Sequence, residues 1–352
     1  MNNTIYLEEM LRKHLQQGTV IPAHPLALNK DLSMDEDRHR RLTRYYMASG
    51  AGGIATAVHS TQFEIRLPEI NLFEKVLETT AEEVDKAALA RPFLKIAGIC
   101  GPTYQAAMEA EVAAGYGYHL ALLSMGGLSN YSERQLLERV EVIAGIMPVF
   151  GFYLQPAVGG RVLSYDFWKA FAEIKNVMAI KVAAFNRYQT LDVVRAVMNS
   201  SRCNEIALYT GNDDNIIADL LTPYRFTIND TEQEKRFVGG LLGQWAVWTS
   251  KAVELLDEVK ACIQNNYAGA DKLLAKNIQL TDVNAAIFDP ANNFHGCIPG
   301  IHEVLRRQGL LEGRYCLNPK EELSPGQMEN ISRICQQYPC MNDDAFVRSF
   351  LS

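Results

Sequence analysis

The sequence predicts an α/β protein, a (β/α)8 TIM barrel with a C-terminal helical extension, and three observations predict it. Apolar runs of strand length recur eight times between residues 19 and 242, each followed by a segment with helical spacing. Those runs are apolar at nearly every position, as strands buried on both faces of a parallel sheet are. After residue 269 the strand pattern stops and helical patterns take over. Eight alternating units favour a closed barrel over an open doubly wound sheet, and no G-x-G-x-x-G follows the first strand to support dinucleotide binding.

In order along the chain, an amphipathic helix over 7–17 precedes a first strand from Thr19, which runs into a loop by Leu28. A charged helix over 35–49 ends at Gly50, Gly52 and Gly53, and the strand 54–59 follows. The repeat continues as helix 68–90 and strand 93–100, helix 103–114 and strand 118–125, helix 133–145 and strand 148–155. Helix 165–173, strand 177–184, helix 190–199 and strand 205–211 complete seven units. For the eighth strand there are two candidates, 224–228 and 237–242, separated by polar residues. The later one is preferred because a long helix, 244–264, follows Gly239 and Gly240. Helices 270–288, 300–308 and 325–337 make the extension, so residues 1–266 are expected to form the barrel with its N-terminal helix and 267–352 a helical cover packed on it.

Composition narrows the function. The chain has 352 residues, 48% of them hydrophobic, and a net charge of −7 that offers no basic surface for nucleic acid. No charged-then-apolar leader and no run of membrane-spanning length is present, so a cytoplasmic protein without a membrane partner is expected. Seven scattered cysteines without a C-x-x-C pair suggest neither a disulfide framework nor a zinc site.

Barrel enzymes place their chemistry at the C-terminal ends of the strands. That rule selects His24, the segment 59–64, the segment 125–127, Tyr153, Lys181, the segment 211–214 and Gly239 with Gly240. Lys181 stands out, because a charged ammonium inside an apolar strand is costly to bury. A lysine desolvated in this way loses basicity and becomes an amine able to attack a carbonyl. The plainer reading of the same residue is a lysine at a strand end with its stem buried and its head in water.

These residues, in this order, resemble the pyruvate-dependent Schiff-base aldolase and lyase family typified by dihydrodipicolinate synthase and N-acetylneuraminate lyase. The family's Tyr-x-x-Pro motif matches Tyr153-Leu-Gln-Pro156, its Ile-Lys pattern matches Ile180-Lys181, and the interval of 28 residues between tyrosine and lysine fits. The segment from Ser60 through Thr61, Gln62 and Phe63 to Glu64 lies where the family holds the keto acid's carboxylate, with Thr61 and Glu64 matching. Gly211 belongs to a segment similar to the family's Ser-Gly-Asp, and Gly239 to its glycine pair. The likeness covers residues 19–311, more weakly beyond Leu255.

The resemblance implies an iminium on Lys181, with Tyr153 shuttling protons and Thr61 positioning the tyrosine hydroxyl. Ser60 and Gln62 would join Thr61 in holding the carboxylate, and His24, His59, Gly211 and Gly239 would complete the substrate pocket. It implies a 2-oxo acid, most simply pyruvate with an aldehyde partner or a deoxy keto sugar acid. No metal or other cofactor is required beyond the covalent Schiff base, and a homo-oligomer, tetramer or dimer, is expected.

Three departures separate the chain from the synthase branch: Val158 in the loop after strand five, Ser124-Met-Gly-Gly127 after strand four, and Val182 to Asn186 after the lysine. They argue against lysine biosynthesis and leave aldol cleavage, condensation and dehydration all open. Competing readings remain for single residues. His24 and His59 are either acid/base groups or neutral, hydrogen-bonded pocket residues, and with His119 they lack a helical metal-ligand spacing. Asp213 and Asp214 read as caps of the following helix; Asn186 and Arg187 read as loop residues or contacts to a substrate tail. A barrel that binds a metabolite or sugar acid without turning it over is the alternative from another class, and phosphate-dependent barrel chemistry is a third.

Overall fold

The computed structural model describes residues 4–352, and eight parallel strands close a barrel there. They are β1 (Val20–Pro22), β2 (Gly53–Thr56), β3 (Leu94–Ile99), β4 (Leu120–Ser124), β5 (Val149–Leu154), β6 (Val177–Ala183), β7 (Ala207–Thr210) and, as the eighth, β10 (Phe237–Leu242). The order β1-β10-β7-β6-β5-β4-β3-β2 is completed between the edge strands by the bridge Ala23–Ala55 and the His24 N–H to Ala55 carbonyl bond of 2.8 Å.

Around the barrel lie α2 (Glu36–Ala48), α3 (Phe73–Ala87), α4 (Thr103–Gly115), α5 (Glu133–Ala144), α6 (Tyr165–Glu173), α7 (Arg187–Met198), α8 (Ile216–Leu221) and α9 (Thr249–Gln264). The sequence expectation for the last strand holds. Residues 224–228 are instead β8 of a hairpin with β9 (Thr231–Lys235), turned by Asn229 and Asp230, both at positive φ. The segment read as a polar connector is thus a strand, whose alternating half-exposed pattern suits a ribbon lying outside the barrel.

Two boundaries differ from expectation. Residues 59–66 form two short 3-10 turns, so α3 starts at Phe73. The long helix after the eighth strand is split, with a 3-10 turn at Gln244–Ala246 and Trp248 in the left-handed region before α9.

Because side chains alternate across each strand, every strand serves two cores. Phe150, Phe152 and Leu154 of β5, Ala179 and Ala183 of β6, and Tyr209 of β7 fill the barrel interior. Tyr153, Ile180 and Val182 face the helices. At the end opposite the strands' C-termini, α1 (Glu9–Gln17) plugs the barrel with Leu11 and Leu15, and the Tyr209 hydroxyl donates to the Leu15 carbonyl at 2.8 Å.

The C-terminal helices α10 (Ala270–Phe288), α11 (Cys297–Arg307), α12 (Gln327–Gln337) and α13 (Asp344–Leu351) follow. The last was not apparent from the sequence; Asp343 anchors its start by accepting from the buried Tyr45 hydroxyl at 2.6 Å. No helix among the described residues is long and apolar enough to cross a membrane.

Gly239 sits at a close approach of two strands, since a Cβ there would lie 2.5 Å from the Thr19 carbonyl oxygen and 2.9 Å from the Tyr209 ring. The sequence reading placed this glycine in the substrate pocket; its small size instead admits β1 and the Tyr209 ring. Gly239→Ala is therefore expected to lower stability by about 1–3 kcal/mol, as overpacking does. A denaturation midpoint equal to that of the parent chain would contradict this.

Candidate active site

A cavity of about 70 Å³ opens at the C-terminal ends of the strands. Lys181 of β6 reaches into it and is only 8% exposed. Its Nζ lies 4.3 Å from the centre of the Phe152 ring, a cation–π distance when the amine is charged. Gly211 makes room for the lysine stem: a Cβ there would meet Lys181 Cε at 2.6 Å.

Asp213, two residues further on, also lines the cavity, and its Oδ1 is buried without a hydrogen-bond partner. Burial pulls the Lys181 amine below the ordinary lysine range, against the opposing pull of the Asp213 charge. Burial likewise pushes the Asp213 carboxyl up, and the nearby lysine only partly offsets it. Each group is thereby moved toward its neutral form, so that proton exchange between them needs little driving force.

The loop bearing Asp213 is held from both sides. On one side, Asp219 of α8 is fully buried and accepts from the Thr210 hydroxyl at 2.7 Å, from Asn212 Nδ2 at 2.9 Å and from Arg187. Asn212 Oδ1 in turn accepts from the Phe185 N–H at 2.9 Å, fixing that residue at a φ of +50° over the cavity. On the other side, α10 offers three polar side chains along one face. Asn277 Oδ1 accepts from the Ile217 and Ala218 N–H groups at 3.0 and 3.2 Å, the Thr281 hydroxyl donates to the Asp214 carbonyl at 2.8 Å, and Asn284 Nδ2 donates to the Asp213 carbonyl at 2.6 Å.

The N-terminus of α8 is thus satisfied by a helix of the extension rather than by its own cap residue. This corrects the expectation that Asp213 and Asp214 cap it. Asn186 caps α7, accepting from the N–H groups of Tyr188 and Gln189, and Arg187 pairs with Asp219, so both have structural roles.

The structure brings Lys181, His59, Ser60 and Gly211 to one cavity. It does not bring Tyr153 there. Tyr153 stacks on Trp168 of α6 with ring centroids 5.1 Å apart, and its hydroxyl accepts from the Leu163 N–H at 3.4 Å, on the helix side of the sheet. The cause is a register shift between β5 and β6. Val149 pairs with Val177, but Phe150 pairs with Ala179, so Phe152 rather than Tyr153 stands opposite Lys181.

Thr61 is also committed elsewhere. Its hydroxyl donates to the His24 carbonyl at 2.7 Å and accepts from the Val58 N–H at 3.2 Å, so it is engaged with the β1 and β2 loops and not with Tyr153. Gln62, fully buried at positive φ, accepts from the Leu317 N–H and so fastens the extension to this loop. His24 lies behind the site. Its Nδ1 faces the Pro25 carbonyl at 2.6 Å, its Nε2 the Thr43 hydroxyl at 3.0 Å, and its ring stacks on His39 at 4.1 Å.

Burial holds His24 neutral, down to about 4, and does the same to His59, where the Lys181 charge adds to the effect. Ser60 lines the cavity, but its hydroxyl proton is given to the Ala23 carbonyl at 2.9 Å. Among the described residues no group of three or more His, Cys, Asp or Glu is placed to hold a metal ion.

The roof is the part that sequence reasoning missed altogether. Phe288 ends α10, Phe294 lies in the following turn, and Cys297 and Ile301 belong to α11; all four line the cavity. Phe294 packs edge-on against Phe185 with centroids 5.7 Å apart. A helix over 300–308 was legible in the sequence, but not that its apolar face, Ile298 to Leu305, would be buried or where it would land.

Comparison with solved structures finds the same architecture. A dihydrodipicolinate synthase from Oceanobacillus iheyensis superposes with a TM-score of 0.72 at 16% identity, over 94% of this chain and 99% of that one. The corresponding enzyme from Bacillus clausii gives 0.73 at 17% identity, over 94% and 99%. An N-acetylneuraminate lyase from Fusobacterium nucleatum gives 0.70 at 16%, over 92% and 99%. No family model matches the chain, and no curated protein does. The chain therefore has the (β/α)8 fold of the synthases and lyases that it resembles in motif order.

The α10 ladder gives a prediction. Asn277→Ala removes the acceptor for a buried and a partly buried amide, so amide exchange at Ile217 and Ala218 should accelerate and stability fall by about 1–3 kcal/mol. Unchanged exchange at both positions would show that the first turn of α8 does not depend on Asn277.

Proposed function

We propose that this protein is a Schiff-base lyase or aldolase that acts on a 2-oxo acid, with Lys181 as the nucleophile and Asp213 as its proton partner. The observation that carries the reading is the presence, in one cavity at the barrel mouth, of a buried lysine and a carboxyl whose buried Oδ1 has no hydrogen-bond partner. The motif order supports it, and so do the names of the structural relatives. The lyase from Fusobacterium nucleatum was also solved complexed with pyruvate, and that structure superposes at 0.70 with 17% identity, over 93% of this chain and 99% of that one.

In the proposed mechanism the neutral Lys181 amine attacks the ketone carbon, and Asp213 as a carboxylate takes the proton that the nitrogen sheds. That proton passes to the alkoxide oxygen and completes the carbinolamine; a second proton, taken up from solvent by Asp213, goes to the hydroxyl, which leaves as water as the nitrogen lone pair forms the iminium. Electron withdrawal into the iminium lets the neighbouring carbon lose a proton or break a carbon–carbon bond, leaving an enamine. Protonation of that carbon and hydrolysis release the product and restore the lysine. Neutral His59 and the Gln155 amide are the cavity side chains left to donate to the substrate carboxylate, since the Thr61 hydroxyl is committed to His24.

Borohydride reduction in the presence of pyruvate and other 2-oxo acids, read by peptide mass spectrometry, tests this. A reduced adduct is expected on the peptide bearing Lys181 and absent from Lys181→Ala. Asp213→Asn preserves shape but not proton transfer, and trapping should slow by about 10²–10⁴-fold, the usual size of an acid/base contribution. If the intact chain traps no 2-oxo acid, the enzyme reading fails and a barrel that binds a metabolite without turnover is favoured.

A further inference from the structure

The walls of the cavity beyond the lysine are of one chemical kind. From the barrel come Phe152, Leu154 and Val158, and Phe185 from the loop after β6; from the extension come Phe288, Phe294 and Ile301. Against these stand few polar groups: His59 and Gln155, which the proposed mechanism assigns to the substrate carboxylate, and Ser60, Lys181 and Asp213. Lys181 and Asp213 line the cavity together as the proposed reacting pair, and the Ser60 hydroxyl donates to the Ala23 carbonyl. Among the described residues no arginine and no second lysine lines the cavity. Burial also raises the Cys297 thiol far above its ordinary range, which leaves it a neutral and weak hydrogen-bonding group.

A chain of hydroxyls placed here would surrender its water and find almost no partners, at a cost on the order of 1–3 kcal/mol for each hydroxyl left unpaired. A phosphate or a second carboxylate would face phenylalanine rings, with no cation except the reacting lysine. An apolar group gains about 25 cal/mol for each Å² of its surface that those rings cover.

We infer that the part of the substrate beyond the carbon bonded to Lys181 is apolar, an alkyl or aryl group, and not a polyhydroxylated or phosphorylated chain. The inference rests on the Schiff-base reading for which carbon is held, and it specifies what that reading leaves open. It also assigns a role to the C-terminal helices. Phe288, Phe294 and Ile301 are specificity-determining residues that select the tail, at a distance from the bond-making step.

The test compares matched 2-oxo acids on the full chain: 2-oxopentanoate against 4,5-dihydroxy-2-oxopentanoate, and 2-oxohexanoate against its 4,5,6-trihydroxy counterpart. For each, the concentration giving half-maximal borohydride trapping is measured. The apolar member of each pair should half-saturate at a concentration about tenfold lower or less, and Phe294→Ser should narrow that ratio by admitting a hydroxyl to the roof. Equal or tighter binding of the hydroxylated members would overturn the inference.

Failure of the underlying reading is separable. Should no acid be trapped, pyruvate included, the same pairs compared by ligand-induced shift in melting temperature still decide the question. A larger shift for the apolar acids upholds the inference as one about binding, and a larger or equal shift for the hydroxylated acids overturns it.

Discussion

The burial of one lysine amine is the constraint on which the rest of the site depends. In water an ammonium is well solvated, and at the centre of a barrel mouth it is not, so the fold must either neutralise it or pair it. This chain does both in part: apolar walls draw the amine toward neutrality, and Asp213 supplies a charge that opposes complete deprotonation. Remove the roof and water would return the lysine to its ordinary state. Remove the carboxyl and no partner of opposite charge would remain beside the amine within the cavity.

Positioning runs outward from that pair in layers. Gly211 leaves room for the lysine stem, Asp219 and Asn212 set the loop after β7, and Asn277, Thr281 and Asn284 of α10 grip the same loop from the extension. The extension thus contributes at once to the cavity wall and to the support of an inferred catalytic group. Mutual dependence of this kind makes the helices after residue 269 part of the working site, although they lie outside the eight βα units.

Much of the barrel was legible in the sequence because its strands are buried on both faces and read as apolar runs at regular spacing. Even the choice of the strand at 237–242 followed from the helix behind it. That same uniformity concealed the pleat. In Val149-Phe-Gly-Phe-Tyr-Leu154 every residue is buried, so no alternation says which side chains face the barrel interior. An interval of 28 residues aligns Tyr153 with Lys181 on paper, and the pairing of Val149 with Val177 begins in that alignment. One extra residue at Met178 then shifts it, and the aromatic side chain beside the lysine is Phe152. Asp213 was read as a cap and not as a reacting group for a different reason: an Asx pair before a helix has a sufficient local explanation, and only the tertiary contacts of α10 make that cap unnecessary. The roof was invisible because an amphipathic helix announces that it will be buried, not against what.

The central claim is that the Lys181 amine is held near neutrality by burial and kept from full deprotonation by Asp213. The most direct measurement is the pH dependence of Lys181 labelling by a small amine-reactive reagent, followed by peptide mass spectrometry in the parent chain and in Asp213→Asn. The amine loses its proton as pH rises through its pKa, so reactivity should increase with a midpoint well below the ~10.4 of an unperturbed lysine. The midpoint should fall further in Asp213→Asn, because the charge that favours the ammonium is gone. A midpoint at the ordinary lysine value, or one that does not move when Asp213 is neutralised, would contradict the account.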